Sequence, residues 1–253
     1  MTVAKTAHGV ETLYKYMAPP GATQFSATNL ASILHDGQIR LASSQEVNDP
    51  FEYFPHVSGE PTAEGIFNVI ERIKNRPDSG NLVTEELRKG FVQRTGRFSR
   101  PDDIDKETFQ QLSDIVRRFT STQLQTVGFI SLTTNPSSVL MWAHYAQNHS
   151  GVCIGWDANK SEFPGHALQV RYSEDRPEIP IQKFLENEMQ MDRETTFSML
   201  NTKSSDWSYE QEWRYFGASI RDREVTRGGG YVDFEKSHIK SIAFGLHTTE
   251  ETK

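Results

Sequence analysis

The sequence predicts an α+β fold, with a mainly antiparallel β-sheet and a helical region inserted at about residues 60–125. Three observations lead there. Short segments rich in aromatic and β-branched residues open the chain and dominate its second half. Segments with apolar residues at helical spacing crowd the middle. No internal repeat or low-complexity tract interrupts the chain, so residues 1–253 read as one domain carrying an insertion.

Taken in order, LYKYM (13–17) is an aromatic strand that PPG ends. ATNLASILHDG (27–37) is a short helix: Thr28 caps it, Leu30, Ile33 and Leu34 share a face, and Gly37 stops it. QIRLAS (38–43) alternates as a strand does. NDPFE (48–52) is a turn, because Asn48 and Asp49 before Pro50 favour chain reversal, and Phe51 is its expected anchor in the core. Within 62–75, Ile66, Phe67, Ile70 and Ile73 recur at helical spacing before Pro77, and VTEELRKGF (83–91) is a second, shorter helix. Within 105–124, Phe109, Leu112, Val116 and Phe119 form a stripe. Such stripes face a core far more often than a ligand.

TVGFISLTT (126–134) is a strand, and NPSSVLMWAHYAQNHSG (135–151) a short capped helix that glycine ends. VCIGWD (152–157) and ALQVRYS (167–173) read as strands, and 181–203 as a helix. EWRYFGA (212–218), YVDFE (231–235) and IKSIAFGL (239–246) are strands, with TRGGG (226–230) a flexible loop before the second.

With 36% hydrophobic and 24% charged residues, the chain has enough apolar material for a core and is not of disordered composition. Its charge of −7 and pI of about 5.6 argue against nonspecific coating of nucleic acid, which needs a basic surface. A small-molecule or protein ligand is therefore the expectation, with a local basic patch the remaining route to nucleic acid. There is no apolar run of about 18 residues, so no membrane span is expected. The start of the chain lacks the apolar core of a secretory signal. A single cysteine, Cys153, excludes an internal disulfide and a Cys-rich zinc site, and makes the cytoplasm the expected compartment. Cys153 lies in the apolar GVCIGW and reads as a buried small hydrophobe.

Two polar constellations stand out. Ser131 and Thr133 are two apart on a strand, so they face one side. Trp142, Tyr145 and His149 stand on one face of a helix, while His144 points elsewhere. Singly, the tryptophan reads as core and the histidines as helix-end hydrogen-bonders. Together they concentrate groups that stack and donate. His144 and His149 are five apart, not the four of a helical metal pair, and no third ligand is apparent, so no metal is expected.

The second constellation is WSYEQEWR (207–214). A strand over 209–215 puts Glu210, Glu212 and Arg214 on one face and Tyr209, Gln211, Trp213 and Tyr215 on the other. The aromatic side suits a core. The other faces a cleft, or solvent with Arg214 paired to Glu212. Two carboxylates at alternate positions repel, which costs stability unless Arg214, Lys203 or a ligand compensates.

These pieces, in this order, resemble a bacterial family known only as a domain of unknown function. The resemblance rests on LYKY, NDPFE, FISLT, MWAHYAQNHSG, VRYS, WSYEQEWR and IKSIAFG, from Leu13 to Gly245. It implies no activity. The layout is also similar to that of the ADP-ribosyltransferases, whose split β-sheet clamps NAD. There a first strand carries an Arg or His, a middle strand a Ser-Thr-Ser-like motif, and a late strand a catalytic Glu, often as Glu-x-Glu. Here Tyr14 and Lys15 would stand on the first strand and Ser131 and Thr133 on the hydroxyl strand. Trp142, His144 and Tyr145 would form an aromatic wall, and Glu210-Gln211-Glu212 the Glu-x-Glu, with Arg214 beside it. Lys15 replaces the Arg or His, and Ser-Leu-Thr replaces Ser-Thr-Ser.

This likeness implies an ADP-ribosyltransferase-like fold and an NAD-dependent ADP-ribosyltransferase, acting as a bacterial toxin or phage-defence effector. NAD would be the substrate, and the acceptor an unidentified protein or nucleic acid. An antitoxin or immunity protein is the implied partner. Breaking the nicotinamide–ribose bond builds an oxocarbenium-like centre. Glu212 would stabilise it, and Glu210 would position the acceptor or take its proton. Tyr145 or Trp142 would stack on nicotinamide, and Ser131 and Lys15 would contact ribose or phosphate. Two other readings use the same residues: a nuclease or glycosidase-type hydrolase working through Glu210 and Glu212, and a non-enzymatic sensor whose aromatic cleft binds a nucleotide or protein.

Overall fold

A computed structural model describes residues 7, 9–22, 30–43, 46–49, 52, 55–75, 93, 95–122, 127–160, 163–187, 192–216 and 230–250. In chain order the elements are β1 (Thr12–Met17), β2 (Gln38–Arg40), β3 (Ala42–Ser43), β4 (His56–Ser58), α1 (Ala63–Asn75), α2 (Lys106–Thr122), β5 (Gly128–Thr133), α3 (Val139–Tyr145) and β6 (Val152–Asp157). There follow β7 (Leu168–Gln169), β8 (Arg171–Ser173), β9 (Glu178–Pro180), α4 (Ile181–Glu186), α5 (Arg193–Leu200), β10 (Thr202–Ser204), β11 (Glu212–Phe216), β12 (Tyr231–Asp233) and β13 (Ile239–Phe244). The fold is α+β with a mainly antiparallel sheet. Among the described residues, no helix is long and apolar enough to cross a membrane.

The chain forms two compact units. The first comprises Met1–Glu52, Leu124–Asp175 and Asn201–Lys253, and the second Tyr53–Gln123 and Arg176–Leu200. The first unit holds a seven-stranded sheet in the order β13-β6-β1-β5-β11-β7, with β3 also on β5. Every pairing in it is antiparallel. β1 pairs with β6 along its whole length, from Thr12↔Asp157 to Met17↔Val152. β5 pairs with β11 from Thr133↔Glu212 to Phe129↔Phe216. β1 and β5, however, meet only at Tyr14↔Thr133. The sheet therefore splits between its two central strands.

Alternation along the strands sorts side chains to two faces. Leu13, Met17, Ile130, Leu132, Ile154, Trp156 and Trp213 join one core, where Trp156 meets Phe163 and Phe234 edge-on at 5.6 and 5.9 Å. Burying each such side chain stabilises the fold by about 1.5–3 kcal/mol. Tyr16 and Cys153 turn the other way and pack with Met141 of α3, against Tyr14 and Tyr145. The second unit builds its own core from α1, α2 and α4, with Ile66, Ile70, Leu112, Val116 and Phe184 buried, and pairs β4 with β9 in parallel. Among the described residues, 60–125 contribute no strand to the seven-stranded sheet.

Several segments differ from their sequence-based expectation. Residues 181–203 do not form one helix but α4, α5 and β10, with 188–191 outside the described residues. Parallel pairing of β10 with β8 overrides the local helical pattern. QIRLAS divides at buried Leu41 into β2, which pairs with β12, and β3, which pairs with β5. ALQVRYS divides at Val170 into β7 and β8. The helix before Gly37 winds with the wider π spacing over Ser32–Asp36, and Gly37 ends it at φ 67°. There Leu30 and Ile33 are buried and Leu34 is exposed. Thr28, Phe51, VTEELRKGF, residues 226–229 and the side chains of Ile73 and Phe119 lie outside the described residues.

Candidate functional site

The strand that carries the Glu-x-Glu starts later than expected. Ser205–Glu210 wind as 3-10 turns, and Gln211 takes the left-handed conformation (φ 48°, ψ 48°), so only Glu212 onward is strand. The Thr133 hydroxyl holds this turn by donating to the Glu210 carbonyl at 2.6 Å. Beyond it, Trp213 and Tyr215 face the core, so Glu212 and Arg214 project from the opposite face of β11. Lys203 arrives on β10, whose Ser204 amide donates to Asp49 Oδ2 at 3.2 Å. Glu52 comes from the NDPFE segment.

These side chains form an enclosed ion cluster. Lys203 Nζ lies 2.5 Å from Glu210 Oε2, 3.0 Å from Glu212 Oε2 and 3.1 Å from Glu52 Oε1. Arg214 donates from Nε and Nη2 to the two oxygens of Glu212, at 2.8 and 3.1 Å, and from Nη2 to Glu52 Oε2 at 2.5 Å. The Ser131 hydroxyl donates to Glu212 Oε1 at 2.6 Å, and the Tyr145 phenol to Glu210 Oε1 at 2.5 Å. All five charged residues are between 1% and 6% exposed. Burying ions is costly, and only close mutual pairing makes such a cluster tolerable. The reading of Glu212 and Arg214 as a solvated surface pair therefore does not hold.

The electrostatics follow from this packing. Burial alone would raise the Glu212 carboxyl, but Arg214 and Lys203, with hydrogen bonds from Arg214 and Ser131, hold it well below the usual carboxylate range. Glu52 goes the other way: burial, with the charge of Glu212, raises it despite Arg214 and Lys203. Lys203 is raised, because Glu212, Glu52 and Glu210 outweigh its burial. Burial and the neighbouring Glu210 keep the Tyr145 phenol protonated. Lys15, which donates to the Ser131 carbonyl at 3.3 Å, is lowered to about 8, chiefly by burial and further by Arg40, against the pull of Glu212.

A cavity of about 230 Å³ opens in the split of the sheet. Consecutive residues of both central strands line it, Tyr14 to Tyr16 of β1 and Ser131 to Thr133 of β5, as a gap between strands requires. Met141 and Tyr145 of α3, Glu46 and Asn48, and the acidic cluster with Lys203 complete its wall. Tyr14, Lys15, Ser131, Thr133, Tyr145, Glu210 and Glu212 are thus brought together as the sequence suggested. Arg214 stands beside Glu212, outside the cavity lining. Trp142 and His144 are not in the lining. Met141 and Tyr145, four apart on α3, face the cavity, while Trp142 packs beside it on the same cluster. Trp142 packs edge-on against Tyr16 at 5.1 Å and stacks on His149 at 6.2 Å, and His144 is exposed. Glu52 was missed as a site residue, and its signal was the acid in NDPFE, a motif read as a structural turn. Among the described residues, no three His, Cys, Asp or Glu side chains are grouped to hold a metal. The carboxylates converge on Lys203 instead.

Residues 141–215 match the model of a family described as a protein of unknown function (DUF2971). The DUF2971 match runs from α3 to β11. It takes in Tyr145, Lys203, Glu210, Glu212 and Arg214, whereas Lys15, Glu52 and Ser131 lie before it. No curated protein and no solved structure matches the chain.

Proposed function

We propose that the protein transfers ADP-ribose from NAD, releasing nicotinamide. One observation carries the reading: the central sheet splits between β1 and β5, and into that split open Lys15, Ser131 and Glu212, from three adjacent strands, with Ser131 bonded to Glu212. A first strand, a hydroxyl strand and a glutamate strand in direct succession are what the likeness to ADP-ribosyltransferases implies. The nicotinamide riboside end of NAD enters the split between Tyr14, Tyr16 and Tyr145. As the bond from the anomeric carbon to nicotinamide breaks, its electron pair leaves with the ring and positive charge grows on the ribose. Glu212, ionised and fixed, stabilises that charge without reorganising. Glu210 receives two donors, Tyr145 and Lys203, where a carboxylate offers about four acceptor sites. It is the group that takes the acceptor's proton. The single buried cysteine suits a reducing cytoplasm. Action as a toxin or defence effector belongs to the same proposal.

A second reading has its own support. Glu212 already accepts from Ser131, Lys203 and Arg214, as many donors as its oxygens hold. That saturation suits a sensor, in which the cluster only shapes a binding cavity. Nicotinamide release from NAD separates the two. Release that Glu212→Gln removes, with NAD binding kept, supports the transferase; binding of NAD without release supports the sensor. Neither binding nor release rules out both NAD readings.

A further inference from the structure

The NDPFE motif has no part in the reaction as drawn, yet its last residue is nearly as buried as any charged group in the site. Glu52 is 2% exposed and lines the cavity. Its two oxygens serve two different cations, Oε1 at 3.1 Å from Lys203 and Oε2 at 2.5 Å from Arg214. Glu212 bridges the same two cations from its own side. The four side chains therefore close a ring of alternating charge, Lys203–Glu52–Arg214–Glu212. Glu210 joins the ring through Lys203, and its other oxygen accepts from the Tyr145 phenol. In a closed ring no member can rotate without breaking a contact at each end. We propose that Glu52 is a positioning residue: it closes this ring and thereby fixes Arg214 and Lys203, which in turn orient Glu212 toward the cavity.

The neighbouring motif residue supports this division of labour. Asp49 accepts from the Ser204 amide and so anchors β10 next to Lys203. One short segment thus secures Lys203 twice, through its backbone and through its ammonium. Reciprocal contacts of this kind order long, flexible side chains that would otherwise sample several rotamers.

The proposal rests on the transferase reading for its kinetic arm only. The test uses the full chain and the variant Glu52→Gln. Nuclear magnetic resonance follows the Lys203 ammonium and the Arg214 Nε–H, both visible when slow to exchange and rigidly held. Nicotinamide release gives kcat and KM. The expected result is loss or strong broadening of both resonances, a kcat lowered at least about tenfold and a KM within about twofold, since a displaced Glu212 fails chiefly in the transition state. Retained resonances overturn the proposal, whatever the activity, and so does full kcat with the resonances lost. If Glu52→Gln does not fold, Glu52→Asp keeps the charge but shortens the reach, and is judged by the same resonances. If the wild-type protein releases no nicotinamide, the transferase reading fails while the resonances still decide the role of Glu52.

Discussion

Replacing Lys203 by methionine keeps most of the stem's volume and removes the ammonium. Three carboxylate oxygens then lose a cation at 2.5, 3.0 and 3.1 Å. At an effective dielectric of about 20, each contact near 3 Å is worth about 5 kcal/mol, so the gross loss is about 15 kcal/mol. Recovery of the ammonium's desolvation cost and proton uptake by Glu52 offset most of it. Breaking a buried pair from one side costs about 3–5 kcal/mol, and three partners place Lys203 at the upper end. For a chain of this size that lowers the melting temperature by roughly 10–20 °C at pH 7.5. Tryptophan fluorescence is a selective assay, because Trp142, Trp156, Trp207 and Trp213 all belong to the first unit. A pH series adds a second signature. In the wild type, the depressed Glu212 contributes stability that is present above its unfolded value and lost as pH falls through the folded one. In Lys203→Met, Glu52 loses one of the two cations that oppose its burial and is raised further, so its contribution is full below the unfolded value and lost as pH rises through the folded one. Glu52, already raised, gives the wild type a weaker slope of that sign. The gap between variant and wild type should therefore narrow from pH 8 to pH 5.5. A melting temperature within about 2 °C of wild type at pH 7.5, or a gap that does not change with pH, would refute the charge argument.

Glu210→Gln should leave most NAD hydrolysis intact and depress transfer to an acceptor, measured as nicotinamide release against labelled ADP-ribose incorporation. Lys15→Met should raise the melting temperature near pH 7 and weaken NAD binding. The folded lysine is lowered to about 8 from 10.5, so its contribution is present only above the unfolded value and lost as pH falls through the folded one. The stabilisation by methionine should accordingly vanish above about pH 10.5. Gly151→Ala should cost at least about 3 kcal/mol in chemical denaturation, because its Cβ would stand 2.0 Å from the Met17 carbonyl oxygen, a backbone atom that cannot step aside.

The strands of the split sheet were legible because short apolar runs bounded by turn residues leave a local record, as in LYKYM, FISLT and VCIGWD. The residue types of the cavity were legible for a related reason: Ser131, Tyr145, Glu210 and Glu212 sit in runs where polar and aromatic groups alternate against a core pattern. Glu52 left no such record. A buried acid has no periodicity, and its cation partner Arg214 lies 162 residues further along the chain. β10 was hidden because three residues gain their strand character from pairing with β8, not from their own preference. The turn at Gln211 was hidden too, since a positive φ is uncommon outside glycine, and the Thr133 hydroxyl that holds the turn lies far away in sequence. Trp142 and His144 were misplaced by their chemistry. They look like binding groups, but Trp142 packs on Tyr16 beside the cavity and His144 is exposed.

The order in which the chain leaves the ribosome gives the ion ring a history. Glu52 emerges first, Ser131 and Tyr145 follow, and both cations of the ring come only with the last segment of the first unit. At roughly 5–20 residues per second, Glu52 waits about 8–30 s for Arg214. Until then the ring around Glu52 cannot close, and the central strand β5 lacks its β11 neighbour. A message cut short before Lys203 would therefore yield the hydroxyl strand and the aromatic helix without a single member of the Glu-x-Glu. The catalytic arrangement proposed for this protein is withheld until the segment that carries Lys203 and Arg214 has been made.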